Sequence, residues 1–296
     1  MLDLSKLTTE QRNPDTMELD TFTPLQIAQA MNAEDARAID AVKQVLPQVA
    51  IAIEWASEAL RAGGRILYVG AGTSGRLGVL DSVECPPTFG VSPEIVVGII
   101  AGGEGAFVKA TEGAEDDVDA GASDLDKHGL TSRDIVIGIA ASGRTPYVIG
   151  ALAHAHELGC HTVGIACNEG SRVGTAAELA IEPVTGPEVL TGSTRLKAGT
   201  AQKTILNMIS TGAMVRTGKV YQNLMVDVQQ TNEKLHVRAR NIVVTACGCT
   251  PEEAEQELCA ADGSAKVAIV SLLLGCGVEE AKAALAKSGG HVRKAL

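Results

Sequence analysis

Five short apolar segments limit what this chain can fold into. RILYVG (65–70), EIVVGII (94–100), DIVIGIA (134–140), CHTVGIAC (160–167) and ELAIEPV (178–184) have almost no polar alternation. Strands that read this way are covered on both faces. Helical stretches lie between them, notably Pro146–Leu158. Strand, loop and helix in repetition predict an α/β fold with a doubly wound, parallel five-stranded sheet. Right-handed crossovers then set the loops that follow the strands along one edge, where ligands bind. Aromatic residues are only 2% of the chain and hydrophobic residues 45%, so Ala, Val, Ile and Leu must fill the core.

The flanks read differently. The first 20 residues are polar and predict an extended or loosely packed start. Ile39, Val42, Val45, Leu46, Val49 and Ile53 recur at three and four, which predicts helix from Pro24 to about Ala62. Pro47 should kink or divide that run. After Gly192 the pattern is helical to about Val244. Thr250 then reads as an N-cap with Pro251 behind it, and Ser264–Leu274 and Val278–Lys287 follow. That is a small C-terminal three-helix module. The expected division is an N-terminal polar segment and helices (1–56), a sheet domain (57–220) and a C-terminal helical region (221–296).

Composition excludes several classes of partner. A formal net charge of −11 with no basic stripe argues against nucleic acid. The apolar runs are too short to span a bilayer, and the start has no basic region followed by an apolar one. A soluble, cytoplasmic protein is the expectation. Seven scattered cysteines form no C-x-x-C pair, and Cys247 and Cys249 stand too close for a zinc knuckle. Reduced thiols are expected, and with His154 and His156 on different helix faces, no metal site.

The loops carry the chemistry. Gly70–Gly75 satisfies G-x-G-x-x-G after a strand, which hints at a dinucleotide. That reading needs an acid at the end of the second strand, and Ala101-Gly102-Gly103 stands there instead. No Gly-Lys-Ser/Thr follows either, so a Walker A loop fails. More informative is an echo: YVGAGTSGR (68–76) and IGIAASGRT (137–145) each place Ser-Gly-Arg after an apolar strand. Gly72, Thr73, Ser74 and Gly75 in one, and Ser142, Gly143, Arg144 and Thr145 in the other, put hydroxyls and free amides at a helix start. Such loops favour an anion, and two on one sheet edge could converge on a sugar phosphate. The plainer alternative is a pair of Ser/Gly turns that cap helices. TGSTRLKAGTAQK (191–203), with Ser193, Arg195 and Lys197, reads as a third such helix start, or as an ordinary capped helix.

Two acids complete the list. Glu84 precedes Pro86 and Pro87, which predicts a carboxylate on a stiff turn. TEGAEDDVD (111–119) supplies Glu112, Glu115, Asp116, Asp117 and Asp119, most simply a solvated face. Two carboxylates in a shielded pocket could divide general acid and general base work. Spacing alone does not bring Glu84 and Glu115 together.

Taken together, GAGTSGRLGVLDSVECPPTFG, AGGEGAFVKATEGAED, GIAASGRTPYV, GSTRLKAGTAQK and NLMVDVQQTNEKLHVR resemble the N-acetylmuramic acid 6-phosphate etherases, which carry a sugar-isomerase (SIS) domain. The resemblance runs from Asn13 to the C-terminal GGHVRKAL. Val83 departs from it, because the family usually has small residues between Asp81 and Glu84. The resemblance implies that 57–220 is the phosphosugar-binding domain. It also implies cleavage of the D-lactyl ether of N-acetylmuramic acid 6-phosphate, a homodimer, and no metal or nucleotide cofactor. By it Glu84 corresponds to the proton donor and Glu115 to the second acid/base. Two rivals stand beside this reading. One is a non-catalytic phosphosugar sensor like glucokinase regulatory protein, and the other an aldose–ketose phosphosugar isomerase.

Overall fold

The computed structural model describes residues 7–109, 111–230 and 232–296. The chain forms two compact units, Met1–Val83 with Glu94–Ser210, and Glu84–Pro93 with Thr211–Leu296.

The first unit opens with α1 (Pro24–Gln44) and α2 (Leu46–Arg61). Then come β1 (Ile66–Gly70), α3 (Gly72–Phe89), β2 (Val96–Ile100), α4 (Gly105–Val108) and α5 (Val118–Lys127). It continues through β3 (Ile135–Ile139), α6 (Pro146–Glu157), β4 (His161–Ile165), α7 (Arg172–Ala176), β5 (Leu179–Ile181) and α8 (Lys197–Arg216). The last residues of α3 and α8 belong to the second unit. All five strands pair in parallel in the order β2-β1-β3-β4-β5. This is the expected sheet, with each strand shorter than its apolar segment. Every residue of β1 and β3 is buried, as central strands covered on both faces require.

Both coverings can be named. Leu67, Val69 and Val136 pack with Leu125 of α5 and with Val148, Ala151 and Leu152 of α6. The alternate residues face α3, so close that a Cβ on Gly78 would lie 2.8 Å from that of Tyr68. The α5–α6 crossing is tighter still. A Cβ on Gly121 would come within 2.1 Å of the Tyr147 carbonyl oxygen, and one on Gly150 within 2.0 Å of that of Val118. Only hydrogen fits at either position.

Pro47 divides the first helical run as its ring demands, with α1 ending at Gln44 and α2 beginning at Leu46. The polar start, in contrast, is not loose. Its first six residues lie outside those described, and the rest wind into the short 3-10 turns Thr8–Glu10, Pro14–Thr16 and Leu19–Thr21. Thr16 is buried and donates to the Val189 carbonyl at 2.9 Å, while Asn13 donates to that of Pro187 at 3.3 Å. Polar side chains pack this segment by satisfying backbone, which a hydropathy reading does not register.

In the second unit the expected helix to Val244 is broken. It stops at Arg216, a small hairpin of β6 (Val220–Tyr221) and β7 (Leu224–Met225) follows, and α9 (Glu233–Cys247) resumes. Thr231, also in that run, lies outside the described residues. Gly218 causes the stop: it adopts φ +82, and Lys219 donates back to the Met214 carbonyl at 3.0 Å. The three expected C-terminal helices form as α10 (Pro251–Ala260), α11 (Ala265–Leu274) and α12 (Val278–Lys287), and α13 (Val292–Ala295) closes the chain. They pack with α9 around Val243, Leu258, Ile269 and Leu285. The module is a repeat that the sequence reading missed. Ala254, Leu258 and Gly263 recur at one constant offset as Ala281, Leu285 and Gly290, and both glycines sit at φ +81.

Candidate active site

Strand order reverses between β1 and β3, and at such a switch the loops leaving the two strands diverge to opposite faces. The crevice this opens is flanked by the two Ser-Gly-Arg loops. Gly70 stands opposite Ile139 in register, so both loops start level at the same sheet edge.

After β1, Gly72 turns the chain with φ +52 and α3 begins. The amides of Gly72, Thr73 and Ser74 have no helical carbonyl a turn before them. Gly75 lets the helix start against the strand, since a Cβ there would lie 2.6 Å from the Gly70 carbonyl oxygen. Thr73 is half-buried. Ser74 is 7% exposed, and its hydroxyl is hydrogen-bonded to Oε1 of Gln202 on α8 at 2.9 Å. Arg76 donates to the Ala106 and Phe107 carbonyls, each at 2.8 Å, and so clamps α4 to α3.

After β3, Gly143 takes φ +72, and a Cβ there would strike that of Ser171 at 2.3 Å. The Ser142 hydroxyl and the amides of Ser142, Arg144 and Thr145 have no partner among the described residues. Thr145 is the N-cap of α6 but makes no capping bond with its side chain. Beneath this loop, Asn168 donates to the Ala141 and Ser142 carbonyls at 3.3 and 3.4 Å, and accepts from the Thr8 amide at 2.8 Å. Its place just after the fourth apolar segment was the available signal.

The start of α8 is arranged differently from the sequence expectation. Glu188 accepts the amides of Lys197 and Ala198 at 3.2 and 3.0 Å, so an internal carboxylate already caps this helix. Burial raises the pKa of Glu188 against the pull of those two amides and the Lys197 charge. The Lys197 ammonium is buried in an ion pair with Glu34 of α1, and Thr200 donates to Asp35 at 3.0 Å. A cavity of about 220 Å³ lies beside them, with Arg195 on its wall. Ser193 is half-buried, its amide donating to the Leu190 carbonyl at 3.0 Å. Thus α8 meets the β1 loop through Ser74 and Gln202, and the β3 and β4 loops through Ala198, Ala141 and Cys167.

Further along α3, Asp81 is 6% exposed and accepts from Tyr68 at 2.9 Å, Asn207 at 2.6 Å and Ser210 at 3.2 Å. A single carboxylate thereby ties β1, α3 and α8 together. Glu84 is exposed and lies within α3, not on a turn after it. Pro86 and Pro87 each remove one helical donor, yet the buried Cys85 and Phe89 hold the last turn, and the Gly90 amide closes it on Pro86 at 2.9 Å. Glu84 falls in the second unit and Glu115 in the first. Glu115 is exposed on a 3-10 turn, Ala114–Asp116, entered through Gly113 at φ +75. Ala114 packs that turn against the cluster holding Tyr147 and Val148 of α6.

The model of the glucokinase regulatory protein N-terminal SIS domain matches residues 48–156, and that of the SIS domain matches 118–211. An N-acetylmuramic acid 6-phosphate etherase of Mycolicibacterium smegmatis is 57% identical over 295 residues, covering 100% of this chain and 99% of that one. The enzyme of the same name from Escherichia coli is 55% identical, with the same coverage. Among solved structures, a phosphoheptose isomerase from Neisseria gonorrhoeae shares 18% identity over 66% of this chain and 98% of its own, with a TM-score of 0.47. Identity at this level across the whole length settles the family: the chain belongs to the N-acetylmuramic acid 6-phosphate etherases.

Proposed function

We propose that the protein cleaves the D-lactyl ether of N-acetylmuramic acid 6-phosphate, releasing D-lactate and N-acetylglucosamine 6-phosphate. The observation that carries this reading is full-length identity above half to etherases of that name. The geometry supports it. The free amides at the starts of α3 and α6, with Ser142 and Thr145, suit a phosphate at the switch point. Net charge does not oppose this: fields of distant carboxylates fade over about 8 Å in physiological salt, whereas the cradle acts at contact.

An ether oxygen leaves poorly, so the reaction needs a route around direct hydrolysis. Opening the sugar ring makes C1 an aldehyde and acidifies the proton on C2. Glu115 removes that proton, the electron pair forms a C2–C3 double bond, and the C3–O bond breaks. Glu84 supplies a proton to the departing lactate oxygen. Water then adds at C3, giving one proton to Glu84 while C2 regains one from Glu115, and the ring recloses. Each residue contributes roughly 10²–10⁴-fold as acid or base. Phosphate binding at the loops holds the reacting carbons in place. Lys197 enters this scheme as the brace of α8 and not as a direct phosphate ligand. A homodimer working in the cytoplasm is part of the proposal, as is the absence of a metal or nucleotide cofactor.

The match to a regulatory protein's domain keeps one alternative, a phosphosugar sensor without catalysis. Incubating the protein with N-acetylmuramic acid 6-phosphate and assaying D-lactate separates the readings. Stoichiometric release is expected; a sensor or an aldose–ketose isomerase gives none.

A further inference from the structure

Gln202 is fully buried on α8, and among the described residues its side chain has one partner, the Ser74 hydroxyl, at 2.9 Å. With Oε1 turned toward Ser74, Nε2 is left in the interior with no acceptor among the described residues. Two buried N–H groups without an acceptor are costly. The two ends of a carboxamide are nearly alike in shape, and the hydrogen-bond network decides between them. Turned over, Nε2 donates one N–H to Ser74 Oγ, so one N–H and the carbonyl oxygen stand without partners in place of two N–H groups, and an unpaired carbonyl oxygen is the better tolerated. The Ser74 proton is then free to turn away from Gln202. Ser74 stands in the first turn of α3, beside the free amides of Gly72 and Thr73.

We propose that Gln202 is a positioning residue that fixes the Ser74 hydroxyl as a donor to the phosphate of the bound sugar. It acts through Ser74 and touches no substrate. The inference rests on Ser74 being part of the phosphate grip. A second helical residue is thereby recruited to set the polarity of one hydrogen bond. An ionised side chain at the same position would accept the Ser74 proton and withdraw it from the ligand.

The test is calorimetric binding of N-acetylglucosamine 6-phosphate to the full-length protein and its variants, with unphosphorylated N-acetylglucosamine as the reference ligand. Gln202→Met keeps the volume and removes the hydrogen bond; it should weaken phosphosugar binding about tenfold and leave the reference ligand unaffected. Gln202→Glu should weaken it further. In a Ser74→Ala background Gln202→Met should cause no additional loss, which a merely structural role would not predict. If Ser74→Ala weakens binding while Gln202→Met and Gln202→Glu do not, this inference falls and the phosphate grip stands. If Ser74→Ala itself changes nothing, both fall.

Discussion

The Glu188 carboxylate accepts the Ala198 amide at 3.0 Å, so the N-terminus of α8 is closed by the protein's own acid. The amide starts of α3 and α6 stay open by contrast, and there the sequence echo of Ser74 and Ser142 acquires its meaning. Position at a sheet edge alone does not make an anion site; the groups already seated there decide.

Glu188 and Asp134 should respond to pH in opposite senses. Burial raises the Glu188 pKa above its unfolded value, so the folded state holds its proton longer and loses stability as pH climbs through the folded pKa. Burial also pushes on Asp134, but hydrogen bonds from Arg65 and Thr131 outweigh it and hold the pKa low. That stability is present above the unfolded pKa and disappears as pH falls through the folded one. In urea titrations across the acid range, Glu188→Gln should therefore gain on the wild type as pH rises. Asp134→Asn should lose ground over the same rise; parallel curves would contradict both assignments.

Lys197 and Glu34 are a buried ion pair, 1% and 3% exposed. Glu34 also pairs with Arg37 at 2.8 Å, so it is removal of Glu34 that strands a charge, the Lys197 ammonium, in the interior, at a cost of about 3–5 kcal/mol. Glu34→Gln should lower the unfolding free energy by that amount, and Glu34→Gln with Lys197→Met should recover much of it. A loss below 1 kcal/mol for the single variant would mean the pair is solvated.

Gly150 sits where a Cβ would lie 2.0 Å from the Val118 carbonyl oxygen. Gly150→Ala must push α5 from α6 and should cost about 1–3 kcal/mol or more. The turn carrying Glu115 packs on α6, so C2 proton exchange should slow in the same variant. Unchanged stability, measured by denaturant unfolding, would show that the crossing is loose.

Much of this was legible in the chain. The strands announced themselves because β1 and β3 are buried on both faces, and Pro47 and Pro251 marked helix starts as their rings require. What failed had a common cause. Thr16, Asn13 and Asn168 are buried through hydrogen bonds to backbone carbonyls distant in sequence, which no periodicity records. Gly218 ended a helix inside an unbroken helical pattern by its left-handed backbone alone. Pro86 and Pro87 looked like a brace after a helix, yet tertiary packing of Cys85 and Phe89 carried the helix past them. The loops at the switch point were visible as motifs, while the contact of Gln202 with Ser74 and the capping of α8 by Glu188 arise only across the fold.

Among the described residues, the Ser142 hydroxyl at the rim of the crevice has no partner. Ser142→Ala should raise KM about tenfold, the worth of one hydrogen bond to a charged group, with kcat nearly unchanged. An equal fall in kcat, or an unaltered KM, would remove it from the phosphate grip.

The division of labour between the two acids is the core of the account. It is tested by running Glu84→Gln and Glu115→Gln on N-acetylmuramic acid 6-phosphate in D2O, following deuterium at C2 and D-lactate together. Glu84→Gln should exchange C2 while releasing lactate at least 10²-fold more slowly, about the least expected of a lost general acid. Glu115→Gln should do neither. Lactate release at the wild-type rate from Glu84→Gln, or undiminished C2 exchange in Glu115→Gln, would contradict the assignment.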